Sequence, residues 1–286
     1  MRILVTGASG MLGHALLPVL KQEHTVIGLT RENCDLCDED EVEETFQRLK
    51  PDAIAHLAAF TNVDGCELEP EKAKASNELA TFNVAEAARR LGARLLYVST
   101  DYVFDGRTTE PYSEESLPNP LSVYGKTKLM GERYVQGTCD RYFIVRTSWL
   151  FGPGGRNFVS TILRLANEQK ELRIVNDQRG SPTYTRHLAQ KLVEIIRTHE
   201  YGTYHVTGGG NCTWFEFARK IVDLSGLEGV QFVPISSEEC GRPAPRPAYS
   251  VLANNRLRKV GIGPLPRWEK GLTSYLAEIC KQGELC

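Results

Sequence analysis

A doubly wound α/β fold, a parallel sheet joined to a smaller C-terminal α/β region, is predicted by three features of this sequence. The chain opens with an apolar run, a glycine-rich turn at Gly7, Gly10 and Gly13, and an apolar helical pattern. Short apolar runs then alternate with helical periodicity through the first half, as in a parallel sheet covered on both faces. A further apolar run surfaces as Val98-Ser99-Thr100-Asp101, and a polar connection leads from it to Tyr124 and Lys128, spaced for one helix face. Together these describe a Rossmann-type sheet over residues 1–150, a dinucleotide-binding unit. Residues 151–286 form mainly a substrate-binding region, with the boundary interleaved.

The first-half strands are expected at 2–6, 24–29, 52–57, 93–99 and 141–147. Helices at 11–22, 39–49, 70–91 and 119–136 fill the gaps. Pro70 suits a first helical turn and Gly92 a helix stop. Asn119 followed by Pro120 reads as the cap that starts the Tyr124 helix. The segment from Asp105 to Pro118 is long and polar, the kind of connection that shapes binding sites at strand ends. Beyond Gly152 the pattern is less regular. Helices are expected at 155–168, 184–199, 213–225 and 267–281, with short strands at 172–175, 203–207 and 231–233. Gly241 to Pro247, rich in Pro and Arg, can be neither regular helix nor central strand.

Composition excludes several classes of function. With 286 residues, 41% apolar and 24% charged, the chain has the make-up of an ordinary globular protein. A formal charge of −2 gives no attraction to nucleic acid or to an acidic membrane. No apolar run is long enough to cross a bilayer, and Met1-Arg2 leads directly into a strand, so a cytoplasmic location is expected. Eight cysteines are scattered, and Cys34-x-x-Cys37 has no second pair at ligand spacing. Free thiols, Cys286 included, and no metal are therefore expected.

The glycine turn has the context that a dinucleotide site requires. Without Cβ atoms, Gly7, Gly10 and Gly13 let the backbone approach a pyrophosphate, with Met11 and Leu12 at the positive helix N-terminus. The second strand ends Thr30-Arg31-Glu32. A neutral hydroxyl and a guanidinium suit a phosphate on the adenosine ribose and favour NADPH, while Glu32 beside them keeps NADH in play. Asp35 and Leu36 are placed to reach the adenine. Leu57, Ala58 and Ala59, after the third strand, let the sugar-phosphate chain lie against backbone.

Tyr124 and Lys128 carry the candidate chemistry. A free tyrosine, with a pKa of about 10, is a sluggish acid at neutral pH. An ammonium one helical turn away is expected to lower that value and fit Tyr124 to protonate a carbonyl oxygen near pH 7. Thr100 is placed to hydrogen-bond the same oxygen, and Lys128 to hold the nicotinamide ribose. Gly125 and Gly131 inside the helix each cost about 1 kcal/mol relative to alanine, which points to close approach of another backbone or a ligand.

With these residues in view, the chain resembles the extended short-chain dehydrogenases/reductases, and within them the dTDP-4-dehydrorhamnose reductase family. The most specific blocks are Ser99–Gly106, Tyr124–Lys128, Arg146–Trp149 and Asn176–Thr183. The resemblance implies reduction of the C4 keto group of dTDP-4-dehydro-L-rhamnose to dTDP-L-rhamnose, with a different NDP-4-keto-6-deoxysugar as the alternative substrate. Thr100, Tyr124 and Lys128 match the catalytic triad, with Tyr124 as proton donor. Thr100, Asp101 and Trp149 match substrate contacts, and Arg246 matches an arginine that holds the nucleotide diphosphate. Asn157 and Arg179 are weaker candidates on the substrate side. A nucleotide sugar is thus the implied partner, with the oligomeric state left open. Some members carry an acidic residue on the first helix for magnesium, but this chain has Gly13-His14-Ala15-Leu16 there. The regulatory β subunit of methionine adenosyltransferase is similar to the same family, binds NADP and acts as a partner rather than a catalyst. Retention of the triad favours an enzyme.

Overall fold

The computed structural model describes residues 1–281, so Cys286 lies outside the described residues. The first-half strands are β1 (Arg2–Thr6), β2 (Thr25–Leu29), β3 (Ala53–His56), β4 (Arg94–Thr100) and β5 (Tyr142–Thr147). Each falls within a residue of its expected bounds. Their helices are α1 (Met11–Leu20), α2 (Glu39–Leu49), α3 (Val63–Leu68), α4 (Pro70–Lys74), α5 (Ala80–Leu91) and α6 (Val123–Thr138). A π turn over Ala75–Leu79 joins α4 to α5, and Gly92, with φ +62°, ends the run. The second half continues through β6 (Leu150–Phe151), α7 (Phe158–Glu168), β7 (Glu171–Val175), β8 (Arg179–Gly180) and β9 (Thr183–Tyr184). Next come α8 (Thr185–Arg197), β10 (Gly202–His205), β11 (Cys212–Thr213), α9 (Trp214–Ser225) and β12 (Gln231–Ile235). The short α10 (Ser237–Cys240) and α11 (Asn255–Lys259) precede α12 (Trp268–Lys281).

Six strands form one parallel sheet in the order β2-β1-β3-β4-β5-β10. One face packs on α1 and α8, where Leu12, Leu16, Leu188 and Leu192 share a core with Ile3, Val5 and Phe143. The other face packs on α2 and α5 through Val42, Phe46, Val84 and Ala88. Thus α8 and β10, from the second half of the sequence, complete the first sheet. A separate core gathers α7, α9 and α12 around Phe151, Phe217 and Tyr275. No helix among the described residues is long and apolar enough to cross a membrane.

Three local findings differ from the sequence reading. The Tyr124 helix starts at Val123, capped by Ser122, whose hydroxyl accepts from Gly125 N at 3.1 Å. Asn119 is unavailable as a cap because its amide donates to Asp105 Oδ2 at 2.9 Å. The short helix α3, capped by Asn62, was not expected at all. Residues 105–118 do not line the cavities described below. They pair instead with a late segment, at Tyr112 and Leu252.

Candidate active site

Strand order reverses at β1, with β2 on one side and β3 on the other, and ligands of open α/β sheets bind at such a point. A cavity of about 760 Å³ opens there, and Thr6, Thr100 and Thr147 reach its wall from the carboxyl ends of β1, β4 and β5. The glycine turn forms its floor. Gly7 has φ +66°, and a Cβ there would lie 2.7 Å from Ala58 N. A Cβ on Gly13 would strike Ala8 O at 2.5 Å. Beneath the turn, His56 bridges Thr6 Oγ1 at 2.7 Å and Thr81 Oγ1 at 3.1 Å. Burial first, then the Lys128 charge, lowers its pKa to about 3 and keeps it neutral.

Gly10, the N-cap of α1, offers no side-chain hydrogen bond, so the first-turn N–H groups keep their donors for a ligand. Met11 and Leu12 line the cavity beside Gly7, Gly10 and Gly13. Arg31, Asp35 and Leu36 stand at one end, and Leu57, Ala58 and Ala59 form a wall between the ends. Bare glycine backbone and uncapped donors fit a dinucleotide pyrophosphate. Cys34 and Cys37 lie on the same wall with their thiols directed to the Glu41 and Ala75 carbonyls. His14 is exposed on α1.

Thr100, Asp101, Tyr124, Lys128 and Trp149 line the same cavity. Thr100 Oγ1 donates to Asp101 Oδ1 at 3.1 Å and accepts from Tyr102 N at 3.1 Å. Asp101 is buried, its Oδ2 has no hydrogen-bond partner among the described residues, and burial raises its pKa to about 7 against the Ser250 and Thr100 hydroxyls. Helix α6 lies close to its neighbours because two of its residues lack a Cβ. A Cβ on Gly125 would sit 2.2 Å from Tyr102 O, and one on Gly131 would sit 2.4 Å from the Tyr97 hydroxyl.

The electrostatics of the pair run against the sequence expectation. Although part of the Tyr124 ring faces the cavity, the residue lies deep in the protein. That desolvation holds the phenol well above the usual tyrosine range, with the Thr100 hydroxyl opposing and the Asp101 carboxyl adding to the rise. Lys128 donates to Val98 O at 2.8 Å and sits 4.0 Å over the Tyr97 ring. Burial pulls Lys128 down to about 7, against the Glu132 carboxylate. A half-charged amine tied to a carbonyl does not depress the phenol as a free ammonium would.

A second cavity, of about 570 Å³, shares Tyr102 and Trp214 with the first. Trp149 and Trp214 stack at 3.5 Å between centroids with planes 6° apart. Trp149 has φ +48°, and its indole leaves no room for a Cβ on Gly180. Arg246 lines this second cavity rather than the first. Its guanidinium forks onto Asp64, Nη1 to Oδ1 and Nη2 to Oδ2 at 3.0 Å each, and Arg242 Nη1 reaches Asp64 Oδ2 at 3.0 Å. Arg246 is therefore paired and little exposed, while Arg242 is paired but 60% exposed.

The weaker candidates are committed elsewhere. Asn157 caps α7 and bonds Gly152 O at 2.9 Å, while Arg179 holds Asn211 Oδ1 at 2.9 Å. Sequence reasoning missed Tyr102, Trp214 and Asp64. Tyr102 lies inside a block already singled out. Trp214, following the Thr213 cap, reads as one more apolar residue of an amphipathic helix. Asp64 gave no signal.

A dinucleotide cavity ending at a Thr-Tyr-Lys trio defines the short-chain dehydrogenase/reductase class. The profile of the RmlD substrate binding domain family matches residues 1–280, and the chain belongs to that family. Spore coat polysaccharide biosynthesis protein SpsK of Bacillus subtilis is 43% identical over 278 residues, covering 97% of both chains. A dTDP-4-dehydrorhamnose reductase of Streptomyces griseus is 40% identical over 286 residues, covering 98% of this chain and 94% of its own. The crystal structure of a dTDP-4-dehydrorhamnose reductase from Bacillus anthracis in complex with NADP superposes with a TM-score of 0.95. It is 42% identical and covers 97% of this chain and 99% of its own.

Proposed function

We propose that the protein reduces the C4 keto group of dTDP-4-dehydro-L-rhamnose, yielding dTDP-L-rhamnose, with NADPH as reductant. One observation carries the reading. Thr100, Tyr124 and Lys128 line the dinucleotide cavity, which meets an arginine-lined cavity at Tyr102 and Trp214. A nucleotide sugar with its diphosphate toward Arg246 and its keto group at Tyr124 spans that junction.

Bound NADPH supplies the hydride. Gly7, Gly10, Met11, Leu12 and Gly13 hold the pyrophosphate of the cofactor, and Arg31 its ribose phosphate. Asp35 and Leu36 face the adenine, and Leu57, Ala58 and Ala59 the backbone side. As hydride adds to C4, Tyr124 gives its hydroxyl proton to O4 while Thr100 hydrogen-bonds the same oxygen. Lys128, whose pKa burial pulls down to about 7 against Glu132, stabilises in its protonated form the phenolate left behind and anchors the nicotinamide ribose. Asp101 and Trp149 orient the sugar.

NADPH oxidation with the dTDP-keto sugar tests the reading. Tyr124→Phe keeps NADPH affinity and loses about 10²–10⁴ in turnover. Normal turnover by that variant overturns the assignment.

A further inference from the structure

We infer that Asp64 is a positioning residue that presents Arg242 and Arg246 to the diphosphate of the nucleotide sugar, an inference that rests on the reading above. Four hydrogen bonds from three residues converge on this one carboxylate from a segment about 180 residues away. Arg246 spends its fork on Asp64, and its Nη1 also donates to Ala244 O at 2.9 Å. Asp64 Oδ1 further accepts from Ala244 N at 3.2 Å. With the fork occupied, the Arg246 donors left over have a fixed direction. Its side chain is 14% exposed, so the guanidinium has little freedom to swing. Burial opposes ionisation of Asp64, yet the hydrogen bonds from Arg246 and Arg242 outweigh it and hold the carboxyl at about 2. The carboxylate is therefore charged throughout the working pH range. Two guanidiniums against one carboxylate leave the Asp64 cluster with one positive charge, on a wall that Arg173 and Glu238 also line.

The placement of Asp64 explains why a residue outside both cavity walls matters. It sits on α3, between two other fixed points. Thr61 and Val63, at the start of that segment, line the dinucleotide cavity. Glu67, at its other end, accepts from Val123 N at 2.7 Å, at the first turn of the helix that carries Tyr124. One short helix thus sets three things against each other: the cofactor wall, the proton donor and the arginines. Asp64 is its link to the arginines. The Gly241–Pro247 segment has no regular structure after α10, so Asp64 sets the arginine positions where no sheet or helix does.

The test compares wild type, Asp64→Ala, Asp64→Asn, Arg246→Ala and the Asp64→Ala/Arg246→Ala double variant, each saturated with NADPH. Calorimetric titration gives dTDP affinity, steady-state rates give KM and kcat for the keto sugar, and a separate titration gives NADPH affinity. Asp64→Ala is expected to weaken dTDP binding and raise KM by about tenfold or more through misplaced arginines, with kcat and NADPH affinity little changed. Asp64→Asn keeps an acceptor and recovers part of the loss. The double variant loses less than the sum of the two single losses, since Asp64 acts partly through Arg246 and partly through Arg242. Additive losses, unchanged or tighter dTDP binding, or a parallel fall in NADPH affinity overturn the inference. A wild type that binds dTDP but does not reduce the keto sugar removes the proposed reaction and leaves the positioning role standing. A wild type that does not bind dTDP removes both.

Discussion

Gly125→Ala tests whether the contact between α6 and the end of β4 sets the catalytic geometry. The added Cβ would lie 2.2 Å from Tyr102 O and 3.0 Å from Pro120 Cβ. A relaxed carbon–oxygen contact is about 3.3 Å or more, so helix or turn must yield by about 1 Å. Neither is soft. Tyr102 N is tied to Thr100 Oγ1 at 3.1 Å, and Gly125 N to the Ser122 cap at 3.1 Å. The displacement therefore falls between Thr100 and Tyr124, the two groups that must meet one oxygen. In stability the helix gains about 1 kcal/mol by replacing glycine, while overpacking costs about 1–3 kcal/mol. The net loss is at most about 2 kcal/mol, and the protein stays folded. In activity a 1 Å misplacement costs about 10² in kcat. NADPH affinity should fall far less than kcat, because the glycine turn that holds the pyrophosphate is on another element and only the Lys128 contact to the ribose rides on α6. Gly137→Ala is the control: it lies on the same helix, exposed, with no atom within 4 Å of its added Cβ. It should gain up to about 1 kcal/mol in urea unfolding and keep wild-type kcat. Wild-type kcat in Gly125→Ala, or equal losses in both variants, would refute the reasoning.

Two further predictions concern charge. Lys128 has its pKa lowered from 10.5 to about 7 by burial, against Glu132. Between those values the unfolded chain binds the extra proton, so this contribution to stability is full above pH 10.5 and is lost as pH falls toward 7. The wild type should therefore gain on Lys128→Met by up to about 4 kcal/mol from pH 7 to pH 10, read from paired urea unfolding curves. Parallel pH profiles would show that Lys128 is not desolvated. Arg31→Ala removes the exposed guanidinium at the ribose end of the cavity. It should raise KM for NADPH about tenfold and leave KM for NADH nearly unchanged. Equal effects on both cofactors would place Arg31 away from the phosphate.

The sheet was legible because β1, β3 and β5 are buried on both faces, so their apolar runs announce themselves without alternation. What stayed hidden depends on partners far along the chain. The run ending at His205 reads as a strand, but nothing local says that it adds to β5 at the edge of the first sheet. Helix α3 was missed because six residues with Asp64, Gly65 and Glu67 among them show no apolar face, and only the Asn62 cap marks the start. Asn119 and Ser122 are both good caps on chemical grounds. The choice was made by Asp105, which takes the Asn119 amide. Likewise the glycine turn and the trio declare themselves by local spacing. That Arg246 pairs with Asp64, 182 positions away, is a fact of tertiary packing alone.

Packing also decides how the trio works. Helical spacing puts Tyr124 and Lys128 on one face, and from that alone the amine should pull the phenol down. The structure lets burial win for both groups, raising the phenol and lowering the amine. A raised phenol remains protonated at neutral pH, which is the form that carbonyl reduction consumes. In the proposed reaction the alkoxide formed at C4 is more basic than a phenolate, so Tyr124 would still give up its proton downhill. Alcohol oxidation would need the opposite form, a phenolate that burial makes scarce. Lys128 can ease that scarcity only when protonated, and at about 7 it is losing its proton as pH rises through neutrality. In the proposed reduction, desolvation would therefore load this site with the proton that the reducing direction spends, and Lys128 would act mainly after transfer, on the phenolate, rather than before it.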